Sequence, residues 1–292
     1  MTTMPILDVA ALRRGFDQAS AHYEQHAVIQ ARAREELLSR LSLLAFQPRH
    51  ILDLGCGTGQ GVMDLRQRFK SARVTALDSA QQMLVATRRR GSFWKPVTCV
   101  LGDAQRLPFK TGSIDLVFSN LLAPFSPNLD ALMREVRRVL SPRGYWTFST
   151  LGPDTLKELR AAFLSAGRQP AIHPLFDMHD VGDALGRAGF ADPVMDVDRC
   201  LLTYPSLMAL HQDLKGMGAR SGLATRSKGL LGRQVFARIE SHYQRSGVDT
   251  DGRLMASCEI IYGQAWCPGS EPPIRGRRQE TVVPLSALQR TR

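Results

Sequence analysis

No apolar run in these 292 residues approaches the ~20 needed to cross a bilayer. The opening MTTMPILDVAALRRGFDQAS has neither the apolar core nor the small-residue cleavage site of a secretion signal. No membrane partner and a cytoplasmic location are therefore expected. Cysteine is sparse: Cys56, Cys99, Cys200, Cys258 and Cys267 are scattered, odd in number, and form no CxxC or Cys/His pair at ligand spacing. Reduced packing residues are expected, with no disulfide framework and no metal centre. Repeats are absent. Acidic residues fall short of basic ones, 27 against 38, and the net charge of +11 calls for a basic face. Such a face suits nucleic acid, anionic lipid or an acidic protein, and composition does not choose among them.

What is present reads as a folded chain, 43% hydrophobic and 22% charged. The length fits one large domain with an appendage or two small domains. Residues 8–46 read as helical, with Leu12, Phe16, Ala19, Tyr23 and Ala27 at three- and four-residue steps. Short apolar strands then alternate with amphipathic helices: strands near 49–54, 73–77, 97–101, 114–119 and 144–150, helices near 59–69, 80–90 and 127–140. That alternation marks an α/β fold with a parallel sheet and helices on both faces. After Thr150 come helices near 154–167, 177–189, 205–215 and 228–245, with strand-like runs at 193–202 and 256–266 that extend the same sheet. The expected organisation is N-terminal helices closing the site (1–48), a core (49–150), a mainly helical cap whose strands complete the sheet (151–267), and a basic, poorly ordered tail (268–292).

The segment Asp53-Leu54-Gly55-Cys56-Gly57-Thr58-Gly59 places glycines between a strand and a helix, where the backbone must turn sharply and a ligand can approach without a Cβ in the way. By itself this is compatible with a tight turn. The GxGxG spacing differs from the GxGxxG of dinucleotide folds. Asp78, closing the next strand, is placed to accept hydrogen bonds from two ribose hydroxyls, or to cap the following helix. Asp103, after the third strand, is placed to accept a hydrogen bond from an exocyclic adenine amine. Asn120 ends the fourth. All four elements stand at carboxyl ends of parallel strands, where such sheets bind ligands.

This ordered set resembles the class I S-adenosylmethionine-dependent methyltransferases, with residues 49–150 as their Rossmann-like core. The resemblance implies S-adenosylmethionine as cofactor, held by Asp53, Gly55, Gly57 and Gly59, by Asp78 with Ser79, by Asp103 with Ala104, and by Asn120. Outside the core, Arg14–Tyr23, Phe148–Arg160, Asp177–Leu185, Asp213–Lys215 and Glu259–Trp266 are similar to the malonyl-carrier-protein O-methyltransferases of biotin synthesis. Two departures stand out: Leu121-Leu122-Ala123-Pro124-Phe125-Ser126 replaces a usual glutamine and tryptophan, and Gln264 stands where histidine is usual.

The acceptor so implied is a malonyl thioester on acidic acyl carrier protein, or malonyl-coenzyme A. Its carboxylate is ionised at pH 7 and needs no strong base. Tyr23, Phe176, His179 and Tyr204 are expected to line the methyl site, His179 as a hydrogen-bonded group behind it and not as a base. Arg160 and Arg226 are weighed as carboxylate holders against a solvated face. Seven of the basic residues fall between Lys215 and Arg245 against one Glu, a docking face for an acidic partner. RNA would suit the same charge, but no RNA-binding module or stacking motif is present and nucleic acid is not expected. The alternatives are an RNA methyltransferase, or an assembly factor of this fold that modifies protein arginine or does not turn over.

Overall fold

The computed structural model describes residues 7–170, 172, 175–218, 222–223 and 232–269. Its frame is a seven-stranded sheet in the order β3-β2-β1-β4-β5-β7-β6. Strands β1 (His50–Leu54), β2 (Arg73–Asp78), β3 (Thr98–Leu101), β4 (Ile114–Ser119) and β5 (Leu140–Leu151) run parallel. β7 (Leu254–Trp266) inserts antiparallel between β5 and the edge strand β6 (Ala191–Tyr204). β1 is apolar at Ile51, Leu52 and Leu54, all fully buried, as a strand covered on both faces must be.

Two layers of helix bury those faces. On one, α6 (Leu129–Val139) and α8 (Met178–Arg187) cover Leu52, Leu54, Val117, Trp146 and Phe148. α6 starts where the Asn128 side chain accepts from the Ala131 amide at 2.9 Å, and it turns Leu129, Leu132, Met133, Val136 and Val139 inward. On the other face, α3 (Val28–Leu41), α4 (Gln60–Arg68) and α5 (Gln81–Arg89) cover Ile51, Val74, Ala76, Leu116 and Phe118. A third, smaller core joins α7 (Lys157–Ser165), α9 (Leu207–Gly216) and α10 (Arg233–Ser246) over the ends of β6 and β7. α1 (Val9–Ala19) and the single turn α2 (Tyr23–His26) cross the carboxyl edge of the sheet between these layers.

Two elements sit differently from the sequence expectation. The 8–46 helical stretch breaks after Ala19 and again at Ala27, so α1 and α2 lie across the carboxyl edge of the sheet while α3 packs on its face and brings Ile29 and Gln30 to the cavity. α8, expected in the cap, buries Val181, Ala184 and Leu185 against the sheet core and packs on α6. The cap is α7, α9 and α10. Most of the tail lies outside the described residues.

At Gly263 in β7 there is no room for a side chain. A Cβ would stand 2.1 Å from Cζ of Phe148, its partner across the strands, whose ring is 4.4 Å from Trp146 and has nowhere to go. Gly263→Ala is expected to cost about 1–3 kcal/mol by overpacking. Thermal unfolding should show a fall of several degrees in Tm, and an unchanged Tm would mean that this core yields.

Candidate active site

Three left-handed glycines bend the chain after β1: Gly55 (φ +77), Gly57 (φ +54) and Gly59 (φ +86). The loop is tied from every side. The amides of Gly55 and Cys56 donate to the Leu77 carbonyl at 2.8 and 3.0 Å, and Thr87 donates to the Gly57 carbonyl at 2.8 Å. The Asp78 carboxylate accepts from the Gly57 amide at 2.9 Å and from the Ala80 amide at 2.8 Å. α2 adds a clamp: Thr58 donates to Glu24, Arg90 pairs with Glu24 at 3.0 Å, and Arg90 donates to the Thr58 carbonyl at 2.6 Å.

The loop opens on a cavity of about 1760 Å³. Gly55, Gly57, Asp78, Ser79, Asp103, Ala104, Asn120, Tyr23 and Tyr204 all face it. A Cβ on Gly57 would point toward open space with only the Tyr23 ring near, at 4.0 Å, so the glycine leaves a cradle between loop and ring. Asp103 accepts from the Gln105 amide at 2.9 Å and pairs with Arg13 of α1 at 3.4 Å. Asn120 bridges: its amide donates to the Gln30 carbonyl at 2.8 Å and its oxygen accepts from Ser149 at 2.7 Å.

Asp53 and Gly59 stand behind the loop and not on the cavity. Gly59 is packed on Thr87, which a Cβ would meet at 2.7 Å, and it starts α4. Asp53 is buried, one of its oxygens is without a hydrogen bond, and its carboxyl is raised from 3.8 to about 8. Burial is the main cause, followed by the negative charges of Asp78 and Asp64, with Arg34 opposing. Asp78 is raised too, by burial, against the three amides that stabilise its charge. Tyr23 is raised by burial and by Asp78 and Glu24, so its hydroxyl stays neutral.

Two expected site residues are elsewhere. His179, in the first turn of α8, leaves 86% of its side chain exposed and pairs with Asp177 at 3.8 Å. α8 turns its apolar side to the sheet, which sends His179 to solvent. Phe176 packs on the same sheet core, while its neighbour Leu175 faces the cavity. Arg160 donates to the carbonyls of Pro153 and Thr155 and stabilises the turn before α7. Arg226 lies outside the described residues. Tyr204 keeps its hydroxyl on Asp213 at 2.6 Å, and Asp213 also takes His26 of α2 at 2.8 Å.

Residues outside the expected site set complete the walls. Gln30 donates to the Met217 sulfur at 3.4 Å, and its side-chain oxygen Oε1 is a buried acceptor on the cavity wall with no partner. Gly216 lies where a Cβ would strike the His26 ring, and at Gly218 and Gly222 a Cβ would strike Phe16 and Leu12. The Asp213–Gly218 segment is thus the seat of α1 and α2 on the cap. Of the departing segment, Leu121 adopts φ +53, Leu122 packs over Gly55, and Phe125 meets Phe16 edge to face at 5.0 Å.

A family model described as "Methyltransferase domain" matches residues 52–148. The chain is 43% identical over 280 residues to the malonyl-[acyl-carrier protein] O-methyltransferase of Laribacter hongkongensis, covering 93% of this chain and 94% of that protein. It is 38% identical to the protein of the same name from Halorhodospira halophila, over 98% and 97% of the two lengths. The chain belongs to the malonyl-[acyl-carrier protein] O-methyltransferase family. It is an S-adenosylmethionine-dependent methyltransferase. Solved structures share the fold: the YcgJ protein of Bacillus subtilis has a TM-score of 0.59 at 13% identity, over 80% of this chain and 99% of that one. Phosphoethanolamine N-methyltransferase 2 of Haemonchus contortus, in complex with S-adenosyl-L-methionine, has 0.55 at 19% identity, over 86% and 57%. Among the described residues no helix is long and apolar enough to cross a membrane.

Two measurements probe this geometry. The folded enzyme holds the Asp53 proton up to about pH 8, whereas an unfolded chain releases it near pH ~4. The stability from this proton is therefore complete below about pH 4 and is lost as pH rises through about 8. In Asp53→Asn, which is neutral throughout, the Tm advantage over wild type should grow across that window and level off above it. A constant difference would show that Asp53 is ionised in the fold.

The second concerns Asp78. Asp78→Asn should weaken cofactor binding at least tenfold by calorimetry, since a charged hydrogen bond is worth about 1.5–3 kcal/mol. Unchanged affinity would remove Asp78 from the cofactor site.

Proposed function

We propose that this enzyme methylates the free carboxylate of a malonyl thioester carried by acyl carrier protein, the opening step of biotin synthesis. The observation that carries this reading is the reach of the likeness: relatives named for that reaction match across more than 90% of both lengths, through the cap that forms the acceptor side, and not only over the shared domain. The cavity agrees, since about 1760 Å³ exceeds the ~300–1,000 Å³ of a site for one small ligand.

The residues present fit the cofactor. Gly55 and Gly57 leave the cradle; Asp78 would hold the ribose and Asp103 with Ala104 the adenine, with Ser79 and Asn120 on the same wall. The unpaired Gln30 oxygen is an acceptor suited to an ammonium group. Bound there, S-adenosylmethionine supplies an electrophilic methyl group on a positively charged sulfur. The protein's task is then to position and to dry. The acceptor carboxylate arrives ionised, so no side chain has to remove a proton. Tyr23, neutral and half-buried over the Gly57 cradle, closes that side to water. Tyr204 lines the cap side with its hydroxyl committed to Asp213, so it supports the wall and does not titrate. Positioning and exclusion of water together are worth up to ~7–11 kcal/mol in such transfers.

Arg13, Arg168 and Lys215 face the cavity and give it positive potential toward an anionic acceptor. Exposed Arg233, Arg238 and Arg245 of α10 continue this charge, and Arg226 and Lys228 lie outside the described residues. The docking of an acidic carrier protein on this side explains the local excess of basic residues.

A transfer assay with methyl-labelled cofactor tests the reading. Malonyl carrier protein should be labelled as a base-labile ester, and RNA and arginine-rich protein should not. Charge reversal at Lys215 and Arg233 together should raise KM for carrier protein and flatten its salt dependence, leaving malonyl-coenzyme A little affected. Labelling of RNA or of arginine, or no labelling at all, would replace this function with one of the alternatives.

A further inference from the structure

The cavity divides into two chemically different ends. Around Gly57, Asp78, Asp103 and Asn120 it is polar. Under the cap it is walled by Phe163, Met208, Leu214, Val235 and Phe236, with the buried Leu159, Leu210 and Ile239 packed behind them. Phe163, Val235 and Phe236 are only half-buried although they belong to the cap core, and they line the cavity. The polar groups set among them are already paired: Tyr204 with Asp213, Thr155 with the Glu259 carbonyl, Tyr243 with the Met255 carbonyl. Among the described residues a thioester arm bearing amides would find no partners in this compartment, and water is poorly held by apolar walls. At the rim the exposed His211, Gln212 and Lys215 offer such partners. A malonyl group is short and anionic and leaves the apolar end unfilled.

We propose that the compartment between α7, α9 and α10 is a binding site for the hydrocarbon chain of a medium- or long-chain acyl group, and that its occupation competes with the malonyl acceptor. The ligand is a saturated chain ending in a carboxylate or thioester, either a free fatty acid or the same chain on carrier protein. The competition rests on the proposed acceptor sharing this cavity, whereas binding of the chain does not. The enzyme would then sense the acyl pool from which its substrate is drawn, slowing when long chains accumulate.

Direct binding of straight-chain acids from butyric to palmitic, followed by calorimetry on the full chain in the presence of S-adenosylhomocysteine, tests the site. Affinity should rise about threefold to fourfold per methylene, the value for burying one such group in an apolar site, and then stop where the compartment is full. Val235→Phe should bring that limit to shorter chains and Phe163→Ala should move it to longer ones. Melting curves and S-adenosylhomocysteine affinity report whether each variant is folded, and the two opposite shifts do not arise from general loosening. Adding the chain as acyl carrier protein separates the sources: comparable or tighter binding assigns the loaded carrier, and weaker binding assigns the free acid. Binding independent of length, no saturable binding at any length, or limits that ignore both substitutions would overturn the site. If chains bind as described but do not raise the apparent KM for malonyl carrier protein, the site stands and the competition falls. If no acceptor is methylated, the functional reading fails while the binding result remains.

Discussion

The Asp78 carboxylate is the constraint on which the site depends. A chain that turns back after β1 through three left-handed glycines has little to hold it, because glycine gives up the most conformational freedom on folding. One oxygen of Asp78 takes the Gly57 amide and the other the Ala80 amide. A single side chain thereby links the turn after β1 to the start of α5, across two strands whose register is set by the sheet. The arrangement exposes the carboxylate to the cavity while surrounding it with protein, which raises its proton affinity against the pull of the amides. Asp53, behind the same loop, then carries a proton to about pH 8, so two carboxyl groups in one small volume do not both hold charge across the neutral range.

Closure follows from the same anchor. α2 clamps Thr58 through Glu24 and Arg90, which sets Tyr23 over Gly57. The far side of α2 is fastened to the cap, where His26 and Tyr204 share Asp213 and the ring of His26 lies against Gly216. α1 adds Asp17, which accepts from the Gln82 amide at the start of α5 at 2.7 Å. Cofactor loop, entry helices and cap are therefore one connected wall. Sequence segments far apart share in it.

Much of this was legible in the residues. The order of apolar runs and amphipathic stretches sets the strand and helix succession, because each strand is covered on both faces and each helix on one. The acidic residues after β2 and β3 stand on the cavity because the ends of parallel strands do. His179, in α8, and Phe176, just before it, stand away from the cavity for a physical reason. Periodicity shows that α8 is amphipathic but not which core it serves, and α8 serves the sheet. Asp53 and Gly59 belong to the loop's motif yet lie behind it, since a tight turn needs residues on its convex side as well. The seat formed by Asp213, Gly216 and Gly218 left only a faint trace: glycines near a helix end look like a cap until the partner helix is seen lying on them.

The central claim, that Asp78 holds the loop in its binding shape before any cofactor arrives, is tested most directly by amide hydrogen exchange at Gly57 and Ala80 in the ligand-free enzyme. Both amides should be protected in wild type to a degree that cofactor increases only slightly, and both should lose protection in Asp78→Ala while the amides of β1 and β4 keep theirs. Free exchange of Gly57 and Ala80 in the wild-type enzyme, with protection gained only on adding cofactor, would contradict the account and make the ligand, not Asp78, the builder of the site.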